Sequence, residues 1–545
     1  MSRKQVGLAA LSLFAVVFLW VFTRVGESDR LENYVLDGPV YDEIANGRRE
    51  CDGELLKEIM FGGESLFYDR MSHTFYYSLP EGDEYGYNPV VTLKNTGGGV
   101  NFSLREEGIT DELVSSGRKI TCMAYNEEAY EPYTLVVTTL PLMSIEAEGY
   151  MSDEDVRMEM TLFDNREKTR VSIWESEGTI ARRGRTTSTY AKTGYKIELS
   201  EKFSLLGMRR DDDWVLYAGY NDQEKIRNVF SCNLWKNSCA GNNSFGIDNG
   251  VEYRYIELFI NGMYEGLYAL GYRIDDRQMG VSAEADNGCI YKKVNYYSEY
   301  PVTWTDEGTI PDYEISTKKL DAEQTAAKWQ QLYDFYEGIL WHQDDDEWLL
   351  NSIDLDNSID MHLFLNLVQG EDNAKGPFTK NMYITARKTE EGGYRYLYTP
   401  WDLDITWGNV WVHDAPNYTV AYGLAPADSV IWTSGCLYEL LSNGNREVRE
   451  RYLARYRELR AGAWSEEALL EQLDCLEAQI FDSGAYVRDR GRWDGGSYVS
   501  DETRLSAFKQ YVLDRLAAMD HYYDQIEDGE LDFPPRFSGG EGVND

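Results

Sequence analysis

The segment Tyr398 to Asn409, YTPWDLDITWGN, sets Asp402 and Asp404 two residues apart, alternating with Leu403 and Ile405 and flanked by Trp401 and Trp407. Read as the end of a strand, period two places both carboxylates on one face and the apolar side chains on the other. Two like charges on one face of an aromatic segment repel unless a cation sits between them. Hard divalent cations prefer such oxygen ligands. A strand end with solvated acids is the alternative, and the two Trp residues argue against full solvation. Upstream, QGEDNAKGPFTKN, Gln369 to Asn381, follows an apolar helical pattern and precedes the strand pattern MYITAR. Asp372 stands where the helix gives way to a Gly/Pro loop, the place for a base that must reach a substrate hydroxyl. Asn381 offers a neutral oxygen to a divalent cation. Asp and Asn at helix ends also serve as caps.

A third segment is the opposite in charge. Gly178 to Ile197, GTIARRGRTTSTYAKTGYKI, holds Arg182, Arg183, Arg185, Lys192 and Lys196 and no acid. Such cations, with hydroxyls and exposed N–H groups, suit a polyanion such as a triphosphate. Lys196 falls in a strand pattern, and a strand-borne Lys on nucleotide phosphates is a kinase device. A solvated basic loop paired with neighbouring acids is the alternative. Strand Lys, loop Asp and Asn, then metal Asp is the order of parts in protein kinases, yet no G-x-G-x-x-G, H-R-D or D-F-G occurs.

These segments need elements to hold them. VVTLKN, GVNFSLREE, KITCMAY and YTLVVTTL predict strands between about Leu55 and Leu140, spaced as in a small sandwich of immunoglobulin type. Residues 27–54 suit a stalk or leading strand. MEMTLFD, VSIWES and GYKIELS predict further strands, and Asn221 to Lys236 a helix. RYIELFINGMYEGLYALGYRID predicts a hairpin turning at Asn261-Gly262. Ala322–Leu350, Ile359–Val368, Glu466–Ile480 and Thr503–Ile526 read as helices. MYITAR and YRYLYTPWDLDI read as strands around Gly392-Gly393.

Composition narrows the function. The chain has 545 residues, 53 Lys and Arg against 94 Asp and Glu, and a net charge of −41. That charge argues against nucleic acid and anionic lipid as partners. It leaves room for one small polyanion at the basic segment. Five His residues and seven Cys without a C-x-x-C give no zinc ribbon, and carboxylates are the expected ligands of any metal. Val6 to Thr23 is uncharged and apolar behind Arg3 and Lys4, which predicts a signal anchor with the remainder outside the cell, or a cleaved signal peptide.

Together RRGRTTSTYAKTGYKIEL, DDDWVLYAGYNDQEKIRNVF, YIELFINGMYEGLYAL, GCIYKK, the EDN…KN loop and TPWDLDITWG resemble the spore-coat CotH kinases. They run in that family's order over roughly Pro141 to Tyr523. The resemblance implies an α+β, atypical kinase-like fold over 141–526, and the residues themselves put ahead of it an anchor at 1–26, a stalk at 27–54 and a small β domain at 55–140, with an acidic tail at 527–545 behind it. It implies transfer of phosphate from ATP, with Mg2+, to Ser of surface or coat proteins; basic, Ser-rich substrates would suit the acidic surface. Carried over by residue, it makes Asp372 the base, Asp402 the principal metal ligand beside Asp404, Asn381 a second metal or loop-fixing residue and Lys196 the phosphate lysine. Arg183, Arg185, Arg227 and Asn228 match family positions and are expected at the nucleotide.

Two departures stand out. The family sets the loop Asp and Asn about five residues apart; here they stand nine apart around Gly376 and Pro377, a spacing that could carry Asn381 out of coordination. Relatives often carry a Glu after the Gly-Leu-Tyr strand; here Gly271-Tyr272-Arg273 follows, so Glu224 or Glu257 would have to replace it. A catalytically inactive surface scaffold with the same fold is the competing reading. Metal-dependent hydrolysis has little support without G-x-S-x-G or H-E-x-x-H.

Overall fold

The computed structural model describes residues 29–531 and 533, apart from 54, 83–85, 96–98, 168–170, 185–186, 296–303, 371, 376–377, 410–418, 422–423, 425–434 and 532. The expected anchor Val6–Thr23 and Arg185 lie outside the described residues. Among the described residues no helix is long and apolar enough to cross a membrane. Strands dominate the first half and helices the second, so the fold is α+β. The chain divides into two compact units: one holds the described residues up to Asp212 with Tyr255–Tyr268 and Ala478–Gly495, the other Asp213–Arg254, Ala269–Glu477 and the residues from Gly496 onward.

The first unit opens with two sheets. One runs Val35–Leu36, Asn101–Arg105, Ile120–Tyr125, Ala129–Thr138, Thr74–Ser78, Phe67–Asp69, with Arg49–Glu50 paired to Ala129–Thr138. The other runs Glu64–Ser65, Leu56–Phe61, Val91–Asn95. Ile59, Leu104, Cys122 and Leu135 are buried in their shared core. Residues 27–54 are more than a leading strand: they supply two short strands and the helix Gly38–Asn46, which starts with Pro39 in its first turn.

Strands Leu142–Ala147, Val156–Asp164, Ser172–Arg183 and Gly194–Phe203 then pair antiparallel in sequence order. The Asn261-Gly262 hairpin forms as expected, with φ of 52° and 72°, the double positive φ of a type I′ turn. Helix Ala485–Arg492 is fastened to this hairpin by charge. Lys192 Nζ lies 2.7 Å from Asp489, and Leu267 N–H donates to the same carboxylate at 2.9 Å. Arg488 grips Glu257 through two hydrogen bonds, at 2.9 and 2.6 Å, and Tyr264 donates to Glu257 at 2.6 Å. Buried charges survive only when paired and hydrogen-bonded in this way. Glu257 is therefore committed to Arg488.

The second unit is organised around helix Leu355–Val368, whose side chains are buried on every face from Asn357 to Val368. Asp354 caps its start by accepting from Asn357 N–H at 3.1 Å. A helix buried all round belongs at the centre of its unit, and its polar side chains, Asp360 and His362 among them, are hydrogen-bonded there. Helices Arg446–Ala461 and Ser506–Glu527 surround it: Tyr452 hydroxyl meets His362 Nδ1 at 2.8 Å and Tyr523 hydroxyl at 2.8 Å. Arg515, buried on the latter helix, donates to the carbonyls of Leu367 (3.3 Å) and Asn366. It thereby satisfies acceptors that a helix C-terminus leaves open. A four-stranded antiparallel sheet completes the unit, in the order Tyr313–Ile315, Gly288–Lys293, Met382–Lys388, Tyr394–Pro400.

Two expected helices are shorter than the pattern suggested. Ala322–Leu350 divides into Ala322–Trp341 and Asp346–Ser352, because Asp345 accepts from Trp348 N–H at 3.1 Å and starts a new helix. Asn221–Lys236 becomes a loop to Ile226 and a helix only from Arg227 to Ser238. Asp222 accepts from Arg227 N–H at 2.7 Å and holds that loop open.

Candidate active site

The strand Tyr394–Pro400 stops two residues before Asp402, and this corrects the strand-end expectation for the Asp pair. Asp402 has a φ of 60° and Trp407 one of 52°. Left-handed backbone at a non-glycine residue costs about 1–2 kcal/mol, most for a bulky one such as Trp, and persists only when its surroundings over-determine it. The surroundings are visible. Asn249 and Asn357 both donate to Tyr398 carbonyl, at 2.9 and 3.0 Å, fixing the last strand. Trp401 N–H donates to Asn381 carbonyl at 3.0 Å, and Trp407 N–H to Val368 carbonyl at 2.6 Å. Leu403 N–H donates to Asn228 Oδ1 at 2.9 Å, Arg227 Nε to Thr406 carbonyl at 3.2 Å, and Trp407 Nε1 to Ser231 Oγ at 3.0 Å. The start of helix Arg227–Ser238 is a clamp on the Asp402 loop.

Arg227 and Asn228, expected at the nucleotide, make these hydrogen bonds to the Asp402 loop. Arg227 is buried between Asp222, 2.5 Å away, and Glu224. Asn228 Oδ1 is occupied by the Leu403 amide. Both act as positioning residues for the Asp pair. Glu224 is likewise paired, with Arg227, as Glu257 is with Arg488.

Asp372 follows directly from the central helix. Gln369, at φ 54°, ends that helix in the left-handed conformation, and its Oε1 accepts from Tyr511 hydroxyl at 2.6 Å. The nine-residue spacing from Asp372 to Asn381 is closed by a small hairpin, Ala374–Lys375 paired with Phe378–Thr379. Asn381 lies so that its Nδ2 donates to Asp372 Oδ2 at 2.8 Å. Asn373, fully buried, pins the base of the hairpin by donating to the carbonyls of Asn381 and Trp401, both at 2.8 Å. Two carbonyl partners fix which side-chain atom is the nitrogen. Replacing Asn373 by Ala leaves both carbonyls without that donor; the expected loss is about 1–3 kcal/mol in denaturant unfolding, together with weaker divalent-cation binding as Asn381 loosens.

The electrostatics join these pieces. Burial pushes the carboxyl of Asp404 well above the usual range, and the charges of Asp402, Asp372 and Asp222 push it further, opposed by Asn221, whose Nδ2 donates to Asp404 at 2.9 Å. Burial also raises Asp372, which Lys380, 2.6 Å away, and Asn381 partly counter while Asp402 adds to the rise. Four carboxylates thus act on one another in a largely buried place, the condition a divalent cation relieves. Among the described residues no three His, Cys, Asp or Glu side chains are grouped so that they could hold a metal ion. An all-oxygen set of one or two carboxylates, with positions left for phosphate and water, fits Mg2+. Asp402 and Asp404 would hold it, with Asn381 hydrogen-bonded to Asp372.

The structure therefore brings together Asp372, Asn381, Asp402, Asp404, Arg227 and Asn228, all in the second unit. Lys196 and Arg183 belong to the first. Lys196 lies in the strand Gly194–Phe203 as expected and pairs with Asp155 at 3.0 Å. Arg183 ends the strand Ser172–Arg183, opposite Gly194. The basic segment's buried cation is Lys192, whose ammonium is enclosed by Asp489, Leu267 carbonyl and the Tyr268 ring. Sequence reasoning missed Asn221, Asp222, Asn373 and Lys380. Asn221 and Asp222 stand in the quoted DDDWVLYAGYNDQEKIRNVF, and Asn373 and Lys380 inside the loop already singled out, but no spacing rule marks them.

A model of the CotH kinase protein family matches residues 180–519. No curated protein matches the chain.

Proposed function

The chain belongs to the CotH kinase protein family, and from that premise we propose that it is an atypical protein kinase passing the γ-phosphate of ATP to Ser of a protein. The observation that carries the reading is the joined acid group: Asp372 bonded to Asn381 across the hairpin, with Asp402 and Asp404 acting on it. In this reading the fold of the matched region is kinase-like, and the two-sheet module ahead of it is immunoglobulin-like, supported by its two sheets around one core.

The proposed roles rest on this geometry. Asp372 accepts the substrate hydroxyl proton; its carboxylate stands beside Asn381 and Lys380, which orient it. Asp402 and Asp404 hold Mg2+, which when bound neutralises charge on the phosphate oxygens. Arg227, Asn228 and Asn221 keep those two acids in place. Lys196, with Arg183 and Arg185, is proposed as the phosphate-contacting group on the grounds of the basic segment alone. The acidic remainder of the chain favours a basic, Ser-rich protein substrate. The apolar run Val6–Thr23 behind Arg3 and Lys4 supports an exported enzyme anchored at the cell membrane.

One observation favours the second reading, an inactive surface scaffold: Lys380 occupies Asp372 through an ion pair. A bound γ-phosphate carries more negative charge than a carboxylate and would draw the ammonium away. Thermal unfolding of the whole chain with ATP separates the readings. The kinase reading expects a rise in melting temperature with ATP and Mg2+ together and little with ATP and a chelator, because only a ligand of the folded state stabilises it. No Mg2+-dependent rise would leave the scaffold.

A further inference from the structure

Tyr217 ends the strand Asp211–Tyr217, and four residues later Asn221 donates to Asp404. The turn between them passes through Gly219 at φ 58°, where a side chain would meet the Tyr217 ring at 3.5 Å and Lys225 at 3.7 Å. The Tyr217 ring is only partly covered and meets Tyr253 edge-on, 6.3 Å between centroids. Its hydroxyl differs. It is buried, and among the described residues no group hydrogen-bonds it. The carboxylates of Asp404, Asp222 and Asp402 all act on it electrostatically.

A buried hydroxyl without a partner is costly, and native proteins keep few of them. At neutral pH a phenol keeps its proton and can donate. What it lacks is an acceptor. A metal-bound water is a poor one, because its lone pair is given to the metal. A phosphate oxygen is a strong one, and can approach the acids once a cation neutralises them.

Resting on the kinase reading above, we infer that Tyr217 is a further ligand-contacting residue of this site, its hydroxyl donating to a phosphate oxygen of the metal-bound nucleotide. Its role is binding and orientation of the phosphate chain, with no proton transferred.

The test is Tyr217→Phe in the full chain, with two readouts besides activity. Melting of the ligand-free variant should be unchanged or higher than wild type, since the change removes an unsatisfied buried hydroxyl. Titration with Mg2+-ATP should show affinity reduced by about tenfold or more, the scale of a hydrogen bond to a charged group. Equal affinity in variant and wild type would overturn the inference and leave the kinase reading intact. Lower affinity accompanied by a lower ligand-free melting temperature would make Tyr217 a packing residue and overturn it as well. If wild type itself takes up no Mg2+-ATP, the nucleotide reading falls, and the role of Tyr217 with it.

Discussion

Asp402→Asn is expected to lower phosphate transfer by at least about a hundredfold, the scale on which a preorganised electrostatic contact to the reacting charge acts. Asn is the clean probe because of the backbone. Asp402 sits at φ 60°, a conformation Asn tolerates nearly as well as Asp, whereas Ala would add strain of about 1 kcal/mol. Removing the charge also relieves Asp404 and Asp372, both pushed up in part by Asp402. The ligand-free variant should therefore melt no lower than wild type. Activity would be lost without loss of fold. Transfer within a factor of two of wild type would exclude Asp402 as a metal ligand.

Arg227→Met is expected to do the reverse, damaging the fold first. The substitution leaves Asp222 and Glu224 buried, with side chains 0% and 5% exposed, and without their counter-charge. Breaking a buried ion pair by removing one partner costs about 3–5 kcal/mol. Thr406 carbonyl loses its donor as well. The loss belongs to the second unit, so denaturant unfolding should show an earlier transition for that unit. Adding Asp222→Asn and Glu224→Gln to the variant should recover much of it, because the penalty lies in unpaired charge rather than in lost contacts. A destabilisation below about 1 kcal/mol, or no recovery in the triple variant, would contradict the clamp.

The two predictions show which parts of the site a sequence can display. Asp402 and Asp404 stood out because two acids between two Trp residues break the apolar pattern. Asp372 and Asn381 stood out as loop residues between a helix and a strand. Yet the physical reason first given for the Asp pair, alternation along a strand, is replaced by a strained loop held from four sides. Dihedral angles of that kind are imposed by tertiary contacts and have no periodicity to read.

The spacing of Asp372 and Asn381 makes the same point in the other direction. Nine residues of sequence can still close to hydrogen-bonding distance in space, as Asn381 does with Asp372. Ala374–Lys375 pairs with Phe378–Thr379, Asn381 reaches Asp372, and Asn373 donates to Asn381 carbonyl. Arg227 and Asn228, expected at the nucleotide, hydrogen-bond to Asp222, Glu224, Thr406 and Leu403. A basic residue in a motif looks like a phosphate ligand until its buried carboxylates are seen, and Asp222 and Glu224 are polar letters in a loop like any others. The strands, the Asn261-Gly262 turn and the late helices were legible, since they rest on local pattern. The breaks at Asp345 and Asp222 were not, since each depends on a single side-chain-to-backbone hydrogen bond.

The most direct measurement is transfer of labelled γ-phosphate from ATP to a basic, Ser-containing peptide by the purified chain, with Mg2+ or with chelator, for wild type and Asp372→Asn. The account predicts label on Ser with wild type and Mg2+ only, and at least about a hundredfold less with Asp372→Asn. Equal label from both proteins, or label from wild type undiminished by the chelator, would contradict it.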